Sequence, residues 1–404
     1  MRLSLVCRLW LFLVLVPAAM AGQQALDLKG ALATAQASNL ELRAARQQRA
    51  IALAGITTAG VLPNPTVSFT ASRDLPHEGA LLDVPIELGG KRGKRLAIAR
   101  EEQKSVEIDL SVLERQIRRR TRQAFYQAAS AQAQTDQSKF ALDLATRTRD
   151  MVQQRYETGA VAQLDFIQAD VEFARATADY ETTAQAQRSA EVLLAGLLNR
   201  PLNTPVAISG KLDEVPPAPT LDAVTAQALQ SNADLLKSAQ DLKTEERRLA
   251  LAKAQRIPNI DLSGGADFNA PPDFNVGGKG GFAVTLPLFN RGQGDIALSN
   301  AKLGLLRLTL ESQRLNASAQ VASAYFDYVA KLHQSQQYRE KIVPQNEKLL
   351  GMAEDSYRAG KTSLLTLIDA QRRLNDIRKA YLDSLFAAQS SFAALEEVVG
   401  ASLD

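Results

Sequence analysis

No proline falls between Ile86 and Arg200, and only Pro344 falls between Leu288 and Asp404. Glycine is nearly as scarce, with Gly89, Gly90, Gly93, Gly159 and Gly196 the only ones in the first stretch. A chain without breakers continues as helix until something stops it. Each stretch therefore predicts a very long helix, a turn at Gly159 or Gly360, and a returning helix. Arg95–Glu157 alone would extend roughly 95 Å at 1.5 Å per residue. Globular cores do not use helices of that length; tubes and coiled coils do.

The apolar spacing fits. Val106, Leu110, Leu113 and Ile117, then Ala124, Ala128 and Ala131, and later Leu142, Ala145, Val152 and Tyr156 form one seam with four- and three-residue steps. That is a 3.5-residue period with an extra step near Arg120–Thr121, as in a coiled coil with a stutter.

The whole plan occurs twice. Ser38-Asn39 recurs as Ser231-Asn232, Pro63-Asn64 as Pro258-Asn259, and Val84-Pro85-Ile86 as Leu286-Pro287-Leu288. Ala124-Phe125-Tyr126 recurs as Ala324-Tyr325-Phe326, and Tyr156–Gly159 as Tyr357–Gly360. The division is a first repeat over 22–200, a proline-rich linker over 201–219 and a second repeat over 220–404. Each repeat reads helix, strand, strand, long helix, turn, helix. The strands alternate with period 2: Val67, Phe69 and Ala71; Leu82, Val84, Ile86 and Leu88; Ile260, Leu262, Gly264, Ala266 and Phe268; Phe282, Val284, Leu286 and Leu288. Pro85 and Pro287 suit bends at strand exits. Gly277–Gly281, with Lys279 at its centre, reads as a flexible approach to a hairpin.

Met1–Ala21 has the positive flank (Arg2, Arg8), the apolar run (Leu9–Val16) and the small-x-small end of a signal peptide. Its removal takes the single Cys and single Trp and leaves 45 Lys+Arg against 44 Asp+Glu, once Arg2 and Arg8 are subtracted from 47. A disulfide scaffold is impossible and a broad basic footprint for nucleic acid is absent. Two His, His77 beside Glu78 in a loop and His333 on a helix, are too few for a closed metal site. Gly360-Lys361-Thr362 lacks the earlier Gly of a phosphate loop, since Asp355 stands there. No catalytic motif appears, so the reading is no enzyme, no cofactor and no resident metal. Arg118-Arg119-Arg120 with Arg122 reads as a solvated or channel-facing patch.

The expected fold is mainly α, with coiled-coil hairpins and four strands per chain. Four strands cannot sit in lipid with open edges, so other chains must close them. Two chains give eight strands with a filled interior; three give twelve and a lumen. A periplasmic coiled-coil protein with two decorative hairpins is the competing reading.

The duplicated plan, the Pro-Asn breaks and two tip motifs resemble TolC-type outer-membrane efflux proteins. The motifs are Arg155-Tyr156-Glu157-Thr158-Gly159 with Leu164-Asp165-Phe166 and Ala169, and Ser356-Tyr357-Arg358-Ala359-Gly360 with Leu365, Leu367 and Asp369-Ala370-Gln371. Val84–Arg92 further resembles the heavy-metal (cobalt–zinc–cadmium) branch. The resemblance implies a homotrimer in the outer membrane with a shared 12-stranded transmembrane β-barrel, continued through the periplasm by an α-barrel. It implies outer-membrane lipid around the barrel, and docking to a periplasmic adaptor and an inner-membrane RND-type pump. Heavy-metal cations are the implied cargo, with drug efflux or type I protein secretion as alternatives. Docking falls on Tyr156, Gly159, Tyr357, Gly360, Thr362 and Ser363, with Thr158, Ala160 and Ala359 beside them. The implied gate is Tyr357 bonded to Asp165 of a neighbouring protomer. Thr362 replaces the family's basic partner, and of its paired carboxylates only Asp369 survives, Thr366 standing at the other position.

Overall fold

The computed structural model describes residues 25–203 and 206–403; the expected signal peptide, 1–21, lies outside them. The first half runs α1 (Leu28–Ser38), α2 (Leu40–Ala59), β1 (Thr66–Ala71), β2 (Glu78–Ile86), α3 (Lys91–Glu157) and α4 (Gln163–Leu197). The second runs α5 (Leu221–Ser231), α6 (Ala233–Gln255), β3 (Ile260–Ala270), β4 (Phe274–Val284), α7 (Gln293–Gln337), a π-helical turn (Tyr338–Ile342), α8 (Val343–Arg358) and α9 (Leu364–Val399). With 67 residues, α3 is about 100 Å long. No helix among the described residues is long and apolar enough to cross a membrane.

The leading helix expected in each half is two helices, and an asparagine makes the break. Asn39 and Asn232 take extended backbone angles. Each side-chain oxygen caps the helix that follows: Asn39 Oδ1 accepts from the N–H groups of Glu41 (2.9 Å) and Leu42 (3.2 Å), and Asn232 Oδ1 from Asp234 (3.0 Å) and Leu235 (3.2 Å). The amide nitrogens reach the opposite way. Asn39 Nδ2 donates to the Leu197 carbonyl at 3.1 Å and Asn232 Nδ2 to Val398 at 2.8 Å. Ser38 and Ser231 Oγ donate to the next carbonyls, Leu198 (2.8 Å) and Val399 (2.7 Å). One Ser-Asn pair thus satisfies the first amides of one helix and the last carbonyls of another, groups every helix otherwise leaves open.

Above and below these clamps lie three apolar cores. Phe125, Ile117, Leu42, Leu194 and Leu198 centre the first, and Val321, Tyr328, Phe392, Leu395 and Val399 its second-half counterpart. The third, at the far end, joins both hairpin tips through Val152, Ala169, Leu350, Tyr357, Leu364 and Ile368. Where α3 passes the first core it is buried on more than one face, from Thr121 to Ala131, which is where the apolar seam takes its extra step. The arginine run is solvated in part: Arg118 is exposed and Arg119 and Arg120 keep 37% and 40% of their side chains exposed, whereas Arg122 is buried. Arg122 is 2% exposed and paired with Glu396, with its guanidinium 4.8 Å from the Phe392 ring centroid. Arg119 pairs with Glu397 at 2.8 Å and Arg120 with Glu41 at 3.0 Å. Removing the Arg122 charge from water is offset by Glu396 on α9, separated too far in sequence to be read as a neighbour.

The sheet is antiparallel in the order β1-β2-β3-β4. β2 starts at Glu78, ahead of the expected Leu82, and β4 covers Phe274–Val284, so Gly277–Gly281 is strand rather than a flexible approach. Alternation cannot register glycines, yet the ladder holds them: Gly280 lies opposite Gly264, Gly278 opposite Ala266 and Gly277 opposite Asp267. Gly265 is required, since a Cβ there would meet the Ala80 carbonyl oxygen at 2.1 Å. Pro85 lies inside β2, beyond the last β1 pair, Thr66 with Asp83, where β2 has only β3 beside it. A residue without an N–H is tolerated at such an edge.

Candidate functional site

Two regions carry chemistry a tube needs: the sheet faces and the hairpin tips. Directly opposed residues in a ladder share a face. By register Val67, Leu82, Phe69 and Ala80 lie with Val84, Ile86, Ile260, Leu262, Phe282 and Val284 on one face. That face is apolar yet open, with Phe69 80% and Phe282 76% exposed. The other face carries Thr66, Ser68, Thr70, Asp83, Asp261, Ser263 and Asp267, the last paired with Lys279 at 2.5 Å. The outer edges of β1 and β4 have no strand beside them among the described residues. A stable soluble sheet buries its apolar face; this one presents it.

Each tip turn is built the same way. Gly159 (φ +71°) and Gly360 (φ +69°) take the left-handed conformation. Ala160 N–H bonds the Arg155 carbonyl at 2.8 Å and Gly159 N–H that of Tyr156 at 2.9 Å; Lys361 and Gly360 bond Ser356 (2.8 Å) and Tyr357 (3.0 Å). This is a Schellman ending, which needs the left-handed residue that glycine supplies most cheaply. No atom lies within 4 Å of a Cβ added at either glycine, so both turns project into open space.

The two tip tyrosines have opposite surroundings. Tyr156 is 39% exposed and stacks on Phe166, ring centroids 5.7 Å apart. Tyr357 is 4% exposed, and its hydroxyl is buried with no hydrogen-bond partner among the described residues. Its side chain is therefore not offered to a docking partner in this conformation. The Arg155 guanidinium lies over the Tyr357 ring, 5.0 Å from its centroid, and its Nη2 donates to the Arg358 carbonyl at 3.4 Å. Burial pushes the Tyr357 phenol above its ordinary pKa, Arg155 opposes this and Asp165 adds to it. Tyr357, Arg155 and Asp165 thus share one corner of the tip. In the sequence Arg155 is only a letter of the first tip motif; its position next to Tyr156 and one repeat before Ser356 gives no sign of a contact with Tyr357.

The remaining tip residues divide between surface and interior. Thr158, Ala160, Ala359 and Ser363 are exposed, and Ser363 Oγ caps α9 by accepting from Thr366 N–H at 3.4 Å. Thr362 is half-buried and its Oγ1 has no partner among the described residues. Asp369 is exposed on α9. The nearby Arg372 is engaged elsewhere, its Nε 2.9 Å from Glu172 Oε2. No group of three or more His, Cys, Asp or Glu capable of holding a metal ion occurs among the described residues.

The profile of the family described as "Outer membrane efflux protein" matches residues 31–200 and again 224–401. The cobalt-zinc-cadmium resistance protein CzcC of Cupriavidus metallidurans is 24% identical over 378 residues, 93% of this chain and 90% of that protein. The fold is that of the CusC crystal structures (TM-score 0.77, 18% identity, 94% of this chain and 93% of that one). It is equally that of the outer membrane protein VceC of Vibrio cholerae (TM-score 0.74, 17% identity, 93% and 97%). With both halves matched by one profile and an apolar sheet face open to its surroundings, the chain belongs to the outer membrane efflux protein family.

Proposed function

We propose that the chain is one protomer of a homotrimeric exit duct for heavy-metal cations in the outer membrane of a Gram-negative cell. The sheet carries the proposal: one apolar face, one polar face, and edges on β1 and β4 without strand partners among the described residues. Unpaired edge groups are untenable in lipid. β4 of one protomer meeting β1 of the next removes every edge and closes a twelve-stranded barrel with its polar face on the lumen. Below it, units 22–200 and 220–404, joined by 201–219, bring two hairpins per protomer into an α-barrel. Exposed Leu298, Leu305, Leu308 and Leu315 on α7, at coiled-coil spacing, are available for a neighbouring helix.

The duct is passive; a periplasmic adaptor and an inner-membrane RND-type pump deliver the cargo at the tips, around Tyr156, Gly159, Gly360, Thr362 and Ser363. At the corner that Tyr357 and Asp165 share we place a lock in which the Tyr357 hydroxyl donates to Asp165 of the adjacent protomer; it requires the hydroxyl, enclosed within its own protomer here, to turn outward. Three copies of exposed Asp369 form the cation-favouring ring at the tip. The likeness to a cobalt-zinc-cadmium resistance protein along nearly the whole chain supports metal cations as cargo.

Single-channel recording in planar bilayers tests the reading. The expected result is a cation-favouring conductance, with Asp369→Ala moving the reversal potential toward zero in a salt gradient. Absence of channels from purified protein defeats the duct, and an unmoved reversal potential removes the ring. Hypersensitivity of a deletion strain to cobalt, zinc or cadmium, against an unchanged drug panel, identifies the cargo.

A further inference from the structure

We propose that the π turn Tyr338–Ile342 is the hinge about which α8 and the Gly360 tip swing when the duct opens, while the α3 hairpin stays straight. The proposal rests on the channel reading above and adds to it where the motion occurs.

The first observation is a count. Buried Ile117, Thr121 and Ala128 correspond to buried Ala317, Val321 and Tyr328, an offset of 200 (117 to 317). Nearer the tip, buried Val152 and Ala169 correspond to Ala353 and Ala370, and Gly159 to Gly360, an offset of 201 (152 to 353). One residue has therefore been added in the second half between Tyr328 and Ala353. The π turn lies in that interval, and it is the only one among the described residues. Val343 N–H bonds the Tyr338 carbonyl, five residues back rather than four. An α-helix absorbs one extra residue in this way, so Leu350, Ala353 and Tyr357 still reach the shared tip core.

The second observation is that this place is weak while its counterpart is not. None of the five π-turn residues is buried. Pro344 follows one residue later, after Val343, and having no N–H it leaves the Glu340 carbonyl without its α-helical donor. Asn346 Nδ2 donates to the Ile342 carbonyl at 2.8 Å, a side-chain bond within the same turn. In the first half α3 runs through the matching region as unbroken α-helix with no proline. Below the hinge the 16 residues of α8 make a lever of about 24 Å, so a bend of about 10° carries the Gly360 turn about 4 Å. Tyr357 lies near the end of that lever.

Hydrogen exchange on the full chain in detergent tests the hinge directly. Amides over 338–346 are expected to exchange about tenfold or more faster than those of the matching stretch of α3, 137–145. Equal protection overturns the proposal. The functional arm removes exposed Lys341 and introduces Pro344→Ala, which restores the spacing of the first half. The straightened protein is expected to insert and assemble like the parent, with open probability reduced at least about fivefold; parent-like opening overturns the proposal. Should this variant fail to fold, spin labels at Asp355, Gln154 and Gln320 decide in the Tyr357→Phe background. Distances between protomers must widen at Asp355 and stay fixed at Gln154 and Gln320; equal widening at Gln154 overturns the hinge. Silent parent channels retire the duct reading, and exchange then decides the hinge alone.

Discussion

The Tyr357 hydroxyl has no hydrogen-bond partner within distance among the described residues, so a change there separates folding from locking. Tyr357→Phe removes no intramolecular bond; protomer stability should stay within about 0.5 kcal/mol of the parent while open probability rises. The pH dependence has a definite sign. With its pKa raised by burial, the phenol remains a donor below about pH 10, its ordinary value, and is lost only as pH climbs past its folded-state value. Lock strength should thus be flat from about pH 6 to about pH 9 and fall in stronger alkali, as followed by open probability. Asn39 and Asn232 predict the opposite split. Either one changed to Ala loses a helix cap and orphans a carbonyl, costing about 1–2 kcal/mol, seen as a lower denaturation midpoint with conductance unaltered. Asn→Asp keeps the cap and loses only the donor, so its midpoint should fall between.

At the level of elements, the sheet makes the sharpest prediction, because neighbouring positions face different solvents. Phe282→Lys, on the open apolar face, should cost about 2–4 kcal/mol of insertion stability if it sits near the bilayer centre. Ser263→Lys, on the polar face and paired one position away, should insert normally; yield of heat-modifiable barrel in the outer membrane reads both. These faces were legible in the sequence because side chains alternate, and the long helices because breakers are missing. The α1–α2 break was not: Ser38-Asn39 appears as a repeated dipeptide, but its meaning lies in carbonyls of Leu197 and Leu198, which no local pattern announces. The π turn escaped for a different reason. A one-residue difference between halves shows only when matches on both sides are counted, and Pro344 alone suggests a kink rather than an extra residue. At the tip, both glycine turns could be read from spacing, whereas Arg155 over Tyr357 depends on two hairpins meeting.

For the molecule as a whole, native mass spectrometry in detergent should give three chains as the main species; a monomer or dimer would leave β1 and β4 unpaired and the barrel open. The Ser-Asn clamps have another consequence. Across the fold Ser38 and Asn39 reach Leu198 and Leu197, in their own half, and Ser231 and Asn232 reach Val399 and Val398, in theirs. The covalent join near Leu202 and Asn203 fastens no clamp, and the linker beyond it is already held by Leu26 N–H to Ala207 O (2.8 Å) and Gln389 Nε2 to Glu214 O (2.9 Å). A nick there should therefore be harmless. Two polypeptides ending and starting at that point, exported together, should find each other and reconstitute a working six-piece ring, whereas a nick between Asn39 and Leu42 should not.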